Sequence, residues 1–527
     1  MWIAATVVLF AGFVRYAQQP TFWLDEAFVA VSLRNPSFRV IFAPLEYGQF
    51  FPRVYLACIA VIRELMGYRI WALRLLPMIS FAVGTLFWAF LLARRSHKHL
   101  VLGLLGGGLL IGSSFWLDQS IQLKQYTLDV MLSLVPFLLD DQYINEQLVR
   151  GKRKAISAIL AMGCILSYAY PIALAARLLG WYAFRIRRHG WQVNRSAIIV
   201  LIVSLVFAFG AVWLIDYRFN LVNREAYLEY WRGCIVHFDH DINSALRPLG
   251  KLLWGWHGRM PLMTAGIVAL QMLGLYQIFR TWRDANEAED QTRWGSRSLS
   301  GVLVLLGVIL ASTTVSFPIC GRVVLFTEVH TQILSLEGAL FVLSFWVKVK
   351  AARYFVHGVT ATVLLYSTQA YVKFNRTAQA EDLRPVISLI DPKVANTVWV
   401  HPCSVAQVRA LPGALSPERI LLGQDVDTPP DDPRRYKKAS EALEQWRQAL
   451  HPCSVIQFSV SAKSLPIERV ISEESRGELQ ERKRAWIIWT HMGTEVCRES
   501  LNEIRRQALS WDVIYEAADG GLALAEF

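Results

Sequence analysis

Asp25 and Glu26 are adjacent carboxylates in the stretch Thr21-Phe22-Trp23-Leu24-Asp25-Glu26-Ala27, directly after an apolar run over residues 2–17. Acids flanked by Trp23 and Phe28 suit proton transfer. One carboxylate takes the proton of an acceptor hydroxyl or amine, and the other orients it or a cation. A solvated acid pair in an aromatic membrane belt would carry the same dipeptide. Candidate cations for an anionic substrate are Arg53, Arg74, Lys124 and Arg322, each at the end of an apolar run or in a connecting loop. Each also suits a side chain reaching for lipid headgroups. Lys124 stands out, because Gln122, Gln125 and Tyr126 gather polar groups around it in otherwise apolar sequence.

These residues need a frame, and composition indicates which. The chain has 527 residues, 54% hydrophobic and 18% charged, with 19 Trp and a mean hydropathy of +0.32. Soluble domains carry about 25% charged residues. Composition therefore excludes a single soluble globule, a disordered chain and a disulfide scaffold. Long apolar runs fill residues 1–372 and predict about eleven transmembrane helices. Residues 373–527 read as a soluble α/β domain, with short apolar runs such as 485–490 alternating with amphipathic stretches.

Charge follows the same division. The tail 373–527 holds 20 Lys and Arg against 22 Asp and Glu, which leaves 34 against 20 in residues 1–372. The net +12 thus belongs to the apolar portion. It reads as loop charge that orients a membrane protein, not as a nucleic-acid surface. Short basic connectors such as Arg94–Lys98, Arg150–Lys154 and Arg185–Arg188 are expected in the cytoplasm. The longer loops 18–70 and 217–260, and the tail, are then expected outside. Residues 50–66 are apolar at helical spacing yet contain Arg53, Arg63 and Glu64. This suits a helix lying in the membrane interface.

The order of motifs resembles one family. An apolar span is followed by Trp23-x-Asp25-Glu26-Ala27, an amphipathic segment with Gln49-x-x-Pro52 and a later Gly67, and then Ala72-Leu73-Arg74-Leu75-Leu76-Pro77. Gln122 to Val130 and Phe317-Pro318 with Gly321 to Phe326 come next. This series is similar to the polyprenyl-phosphate-dependent glycosyltransferases of the GT-C fold, in the branch of the lipid A aminoarabinose and protein O-mannosyltransferases. It covers residues 1–375 and reaches the tail through Arg484 to His491 and Leu522 to Phe527. The resemblance implies a polytopic α-helical membrane protein of GT-C type with interfacial helices. It implies inverting transfer of a sugar from a polyprenyl phosphate to a lipid, glycan or protein acceptor on the outer face. Asp25 would be the general base and Glu26 its support. Lys124, Arg74, Arg53 and Arg322 would meet the phosphate, with Gln49 and Tyr126 also in the substrate site. Near the start of the amphipathic segment, where the aminoarabinose branch has a Lys, this chain offers Glu46, Tyr47 and Gln49.

Other signals bound the reading. No Gly-x-Gly-x-x-Gly or Walker A pattern occurs, and the expected cytoplasmic loops are too short for a nucleotide-sugar domain, which favours a lipid-linked donor. Gly106-Gly107-Gly108 is expected to allow close helix packing. Arg177 and Glu337 are expected inside the membrane, as a pair or lining a cavity. Cys58, Cys164, Cys234 and Cys320 are read as packing residues. Cys403, Cys453 and Cys497 allow one disulfide in an oxidising compartment. His-Pro-Cys-Ser-Val occurs at 401–405 and 451–455. A zinc site, a Cys403–Cys453 bond and coincidence at two strand ends all stay open. His237, Asp239, His240 and Asp241 are a further metal candidate, and no metal or other cofactor is assigned. A bacterial inner membrane with a periplasmic tail is the expected location. A flippase of lipid-linked saccharides, with no bond chemistry, is the alternative.

Overall fold

A computed structural model describes residues 1–34, 41–42, 45, 51–96, 99–138, 160–189, 195–217, 228, 231–236, 248–249, 261–283, 289–319, 321–345, 349–376, 383–391, 393–395, 397–400, 404–410, 420–422, 484–490, 498, 501–502, 504–506, 508–517 and 520–526. The chain is mostly helical up to Arg376. In order come α1 (Trp2–Gln18), α2 (Leu24–Ser32), α3 (Arg53–Met66), α4 (Ile70–Leu73), α5 (Leu75–Ser96), α6 (Leu100–Gly112), α7 (Ser114–Gln119) and α8 (Tyr126–Leu138). They are followed by α9 (Tyr170–His189), α10 (Arg195–Val212), α11 (Pro261–Arg283), α12 (Glu289–Val315), α13 (Glu328–Phe345) and α14 (Lys350–Arg376). A 3₁₀ helix, Gly321–Thr327, joins α12 to α13.

The main core lies among α1, α5 to α9 and α11 to α14. Aromatic rings fill its centre: Phe81 and Trp88 stand 4.9 and 5.7 Å from Trp116. The indole N–H groups are satisfied, Trp116 by Thr85 Oγ1 at 2.9 Å and Trp88 by Gln332 Oε1 at 3.0 Å. Glycines set how closely helices approach. A Cβ on Gly108 would lie 2.9 Å from Val363 Cγ1, so α6 and α14 meet at the expected glycine cluster. The α11–α13 crossing is tighter, since a Cβ on Gly338 would lie 1.7 Å from the Leu270 carbonyl oxygen.

Apolar side chains lie on the outside of the helical portion as well as in its core. Ile3, Phe10, Phe207, Phe279, Leu310 and Leu365 point outward, each more than half exposed. Glu328, His330, Gln332, Glu337 and Arg177 are buried inside. Leu75–Ser96 and Arg293–Val315 are long and apolar enough to cross a membrane, and Trp2–Gln18, Leu100–Gly112, Tyr126–Leu138 and Leu205–Asp216 are shorter apolar helices. Fewer helices therefore meet that criterion, among the described residues, than the eleven or so expected. One reason is that α9 and α13 carry the buried charges within their length. Arg177 and Glu337 do not pair with each other. Arg177 donates to Ser296 Oγ at 3.0 Å, and Glu337 accepts from Arg95 at 2.5 Å.

Around the first loop, α3 buries Tyr55, Leu56, Ile59 and Ala60 and exposes Val61, Leu65 and Met66. Gly67 ends it in a left-handed conformation at φ 80°, open to glycine without strain. The tail contains α15 (Arg384–Ser388), β1 (Thr397–Val400), α16 (Val405–Ala410), β2 (Ile420–Leu422), β3 (Arg484–Thr490), β4 (Ser510–Ala517) and β5 (Gly520–Glu526). The sheet order is β2-β1-β3-β5-β4, parallel across β2-β1-β3 and antiparallel across β3-β5-β4. Strand β3 is apolar from Ala485 to Trp489, and both its faces are covered there. Trp486 and Ile488 pack on one side, and Ala485, Ile487 and Trp489 on the other.

Cys234 is in a disulfide, where packing was expected, and Cys58 and Cys164 are free thiols. Its partner therefore lies outside the described residues, as do Cys320, Cys403, Cys453, Cys497 and both His-Pro-Cys-Ser-Val segments except Ser404 and Val405. Alkylation of the denatured protein without reductant should modify Cys58 and Cys164 and leave Cys234 intact until a reductant is added. Peptide mass spectrometry reads this directly, and early modification of Cys234 would contradict the cross-link.

Candidate active site

The linker from α1 to α2 is short and held at both ends. Gln19 takes a left-handed conformation at φ 47°, and Pro20 to Trp23 then lead into α2. Glu26 is the third residue of α2, and its Oε2 accepts the Trp23 N–H at 3.0 Å. A carboxylate at that position satisfies a donor that the first helical turn leaves open.

Glu26 is fully buried, and so is Arg74 at 1% exposure. Arg74 grips the carboxylate as a fork, Nε to Oε1 at 2.9 Å and Nη2 to Oε2 at 2.6 Å. Its other N–H groups go to the Pro20 and Thr21 carbonyls at 2.6 and 3.2 Å. Oε1 also accepts the Leu123 N–H at 2.5 Å. Both side chains thus use their hydrogen-bonding capacity on each other and on main chain. Glu26 was expected to support Asp25 or to contact acceptor or metal, and Arg74 to face the phosphate. In this geometry they tie together the α1–α2 linker, α2, the α4–α5 junction and the turn before α8.

Asp25 precedes Glu26 by one residue, so it points about 100° away around the helix. Its side chain is partly exposed and is ion-paired with Arg322 from the 3₁₀ helix. The Arg322 guanidinium lies 4.6 Å from the Trp23 ring and 5.8 Å from the Tyr126 ring. Burial pulls the Arg322 pKa down to about 10, which leaves it cationic at neutral pH. Such a stack fixes the guanidinium plane by cation–π attraction.

Lys124 occupies the turn ahead of α8 and is 5% exposed, its Nζ 6.0 Å from the Phe51 ring. Burial lowers its pKa to about 7, and the Glu26 charge opposes that shift. Its carbonyl accepts the Tyr55 hydroxyl at 3.1 Å. Arg53 is fully buried at the start of α3. Its N–H donates to Asp216 Oδ1 at 2.5 Å and its Nη1 to the Ile41 carbonyl at 3.1 Å. Asp216 comes from the π-helical turn Trp213–Tyr217, which no pattern in the sequence connected to α3. Gln49 lies outside the described residues, as do His237, Asp239, His240 and Asp241. Among the described residues no group of three or more His, Cys, Asp or Glu is placed to hold a metal ion.

One cluster thus contains Asp25, Glu26, Arg74, Lys124, Tyr126 and Arg322. Trp23, not singled out as a site residue, forms one wall of it, and its position two residues before Asp25 was the available signal. The partly exposed groups can exchange a proton at Asp25 and offer positive charge at Arg322.

No family model matches the chain, and no curated protein does. Among solved structures, the chain is similar to ArnT from Cupriavidus metallidurans in the apo state, at 13% identity over 99% of this chain and 97% of that one, with a TM-score of 0.46. It is also similar to ArnT from the same organism bound to undecaprenyl phosphate, at 11% identity over the same shares, with a TM-score of 0.47.

The two carboxylates should separate in stability. Glu26→Gln leaves Arg74 buried without its counter-charge and should cost roughly 3–5 kcal/mol. Asp25→Asn still accepts a hydrogen bond from Arg322 and should cost about 1 kcal/mol. Denaturant unfolding of the purified variants measures both, and equal losses would refute this division of roles.

Proposed function

We propose that this protein is an integral membrane glycosyltransferase of GT-C type that moves a sugar from a polyprenyl phosphate to an acceptor nucleophile on the non-cytoplasmic face. The observation that carries this reading is the Asp25–Arg322 pair, partly exposed and walled by Trp23 and Tyr126. The pair supplies a base for the acceptor and a cation for the leaving phosphate, the two groups that inverting transfer needs on opposite faces of the sugar once substrate has entered between them. The outward-facing apolar side chains support embedding in lipid, since exposed apolar surface on this scale needs a cover. Residues 1–372 then form the catalytic membrane domain, and 373–527 the extracytoplasmic domain.

Each group has a task in this mechanism. Asp25 accepts the proton of the attacking hydroxyl or amine. Arg322, released from Asp25 by the incoming phosphate, takes up the charge that grows on the leaving group. The ammonium of Lys124, two residues before Tyr126 at the start of α8, adds positive charge. Glu26 and Arg74 hold α2 in register without touching substrate. The Cys234 disulfide supports the sidedness, because disulfides persist in oxidising compartments. Ile319, three residues before Arg322, donates its N–H to the Cys234 carbonyl at 2.8 Å, which puts the cross-linked segment beside the 3₁₀ helix. The partners in this reading are a polyprenyl-phosphate sugar, an envelope acceptor and membrane lipid, and a bacterial inner membrane is the location.

The test reconstitutes the protein with polyprenyl-phosphate sugars and an envelope acceptor fraction, and follows release of free polyprenyl phosphate. Wild type should release it, and Asp25→Asn should lose about 10²–10⁴-fold in kcat. Release by both would remove Asp25 as base. Transbilayer movement of the lipid-linked sugar without release would favour a flippase. The pH dependence gives a second test. Lys124 is cationic below its pKa of about 7 and neutral above it. Donor kcat/KM should therefore fall as pH rises through 7, and Lys124→Arg should flatten that limb. An unchanged limb in the variant would place the titrating group elsewhere.

A further inference from the structure

We propose that the C-terminal domain is the positioning element for Asp25, acting through Gln407 and Thr490. The inference rests on the reading of Asp25 as general base. Asp25 sits on α2, and its partner Arg322 sits on the 3₁₀ helix of the helical body, so their meeting depends on where α2 is held. The Glu26–Arg74 fork fixes one point of α2. Apolar side chains of α3 and α8 pack on α2 as well, and the tail supplies hydrogen bonds at its two ends.

Those contacts bracket Asp25 on both sides. Before it, the Leu383 N–H donates to Thr21 Oγ1 at 2.9 Å, and Gln407 Nε2 reaches the Phe22 carbonyl at 3.5 Å. After it, the Tyr68 hydroxyl lies 3.1 Å from the Ala30 carbonyl and 2.9 Å from the Ala410 carbonyl, bridging α2 to α16. Ala410 is itself buried in one apolar cluster with Phe22, Leu24, Ala27 and Phe28. Gln407 is set in turn by the sheet. Thr490, the last residue of β3, donates its hydroxyl to Gln407 Oε1, and its N–H goes to Ser404 Oγ at 2.6 Å. Ser404, Gln407 and Thr490 are all buried at 1% exposure or less. The result is a hydrogen-bonded line from the central strand of the tail to a carbonyl three residues before Asp25. A domain that merely capped the membrane portion would have no need of buried side chains aimed at this peptide.

The test uses the full-length protein with Thr490→Val, Gln407→Leu and the milder Tyr68→Phe, and Thr490→Ser as the conservative control. Hydrogen exchange over residues 21–33 is read beside donor turnover. Loss of the line should raise exchange of the α2 amides by about tenfold or more. It should also lower kcat by about tenfold with donor KM within about twofold, because the base is displaced while the phosphate cations are not. Thr490→Ser should restore both readouts. Unchanged exchange in all three variants would overturn the proposal. So would raised exchange with unchanged kcat. A wild type that turns over no donor would fail the transferase reading instead, and exchange alone would then decide whether the tail fixes the segment.

Discussion

The buried ion pair between Glu26 and Arg74 is the constraint on which the rest of this end of the molecule depends. Two charges removed from water are costly, and only a full set of hydrogen bonds offsets that cost. Here the set is assembled from four separate pieces of chain: the linker after α1, the start of α2, the α4–α5 junction and the turn before α8. None of the pieces can shift without leaving a buried charge short of a partner. The pair adds geometric specificity as well as energy, because a guanidinium fork accepts a carboxylate in few orientations. The cluster at Asp25 inherits its order from this arrangement.

Two neighbouring acids therefore have opposite surroundings. The residue at the third helical position turns inward and becomes part of the frame. The one before it turns toward Arg322 and stays partly exposed. A step of one residue around a helix separates them, and that step divides holding from reacting. The same economy recurs at Arg53, whose guanidinium and N–H are tied to Ile41 and Asp216.

Local pattern made several features legible in the sequence. The two-faced α3 followed from apolar spacing interrupted by charges, and the small residues of α6 announced a close neighbour. The short apolar run that forms β3 marked the tail as a domain of mixed helix and strand. Asp25 and Arg322 could be named because acids and arginines at span ends are conspicuous. Features made by distant contacts were not legible. Nothing near Glu337 identifies Arg95, nothing near Asp216 identifies α3, and no spacing tells that the tail lies against α2. Glu26 and Arg74 were visible as chemistry but not as partners, because 48 residues separate them and burial is not written in a dipeptide. Cys234 misled for the same reason, since an apolar setting does not distinguish a packed thiol from a cross-linked one.

The crossing of α11 and α13 has a mechanical meaning. Where a methyl group on Gly338 would overlap the Leu270 carbonyl, two helices touch backbone to backbone, with no side chain between them to repack. They form a single stiff strut. One end of that strut, Glu328, adjoins the 3₁₀ helix that carries Arg322. The guanidinium beside Asp25 is therefore mounted on a beam that runs through the molecule, and its place at one surface is fixed by packing deep in the helical body.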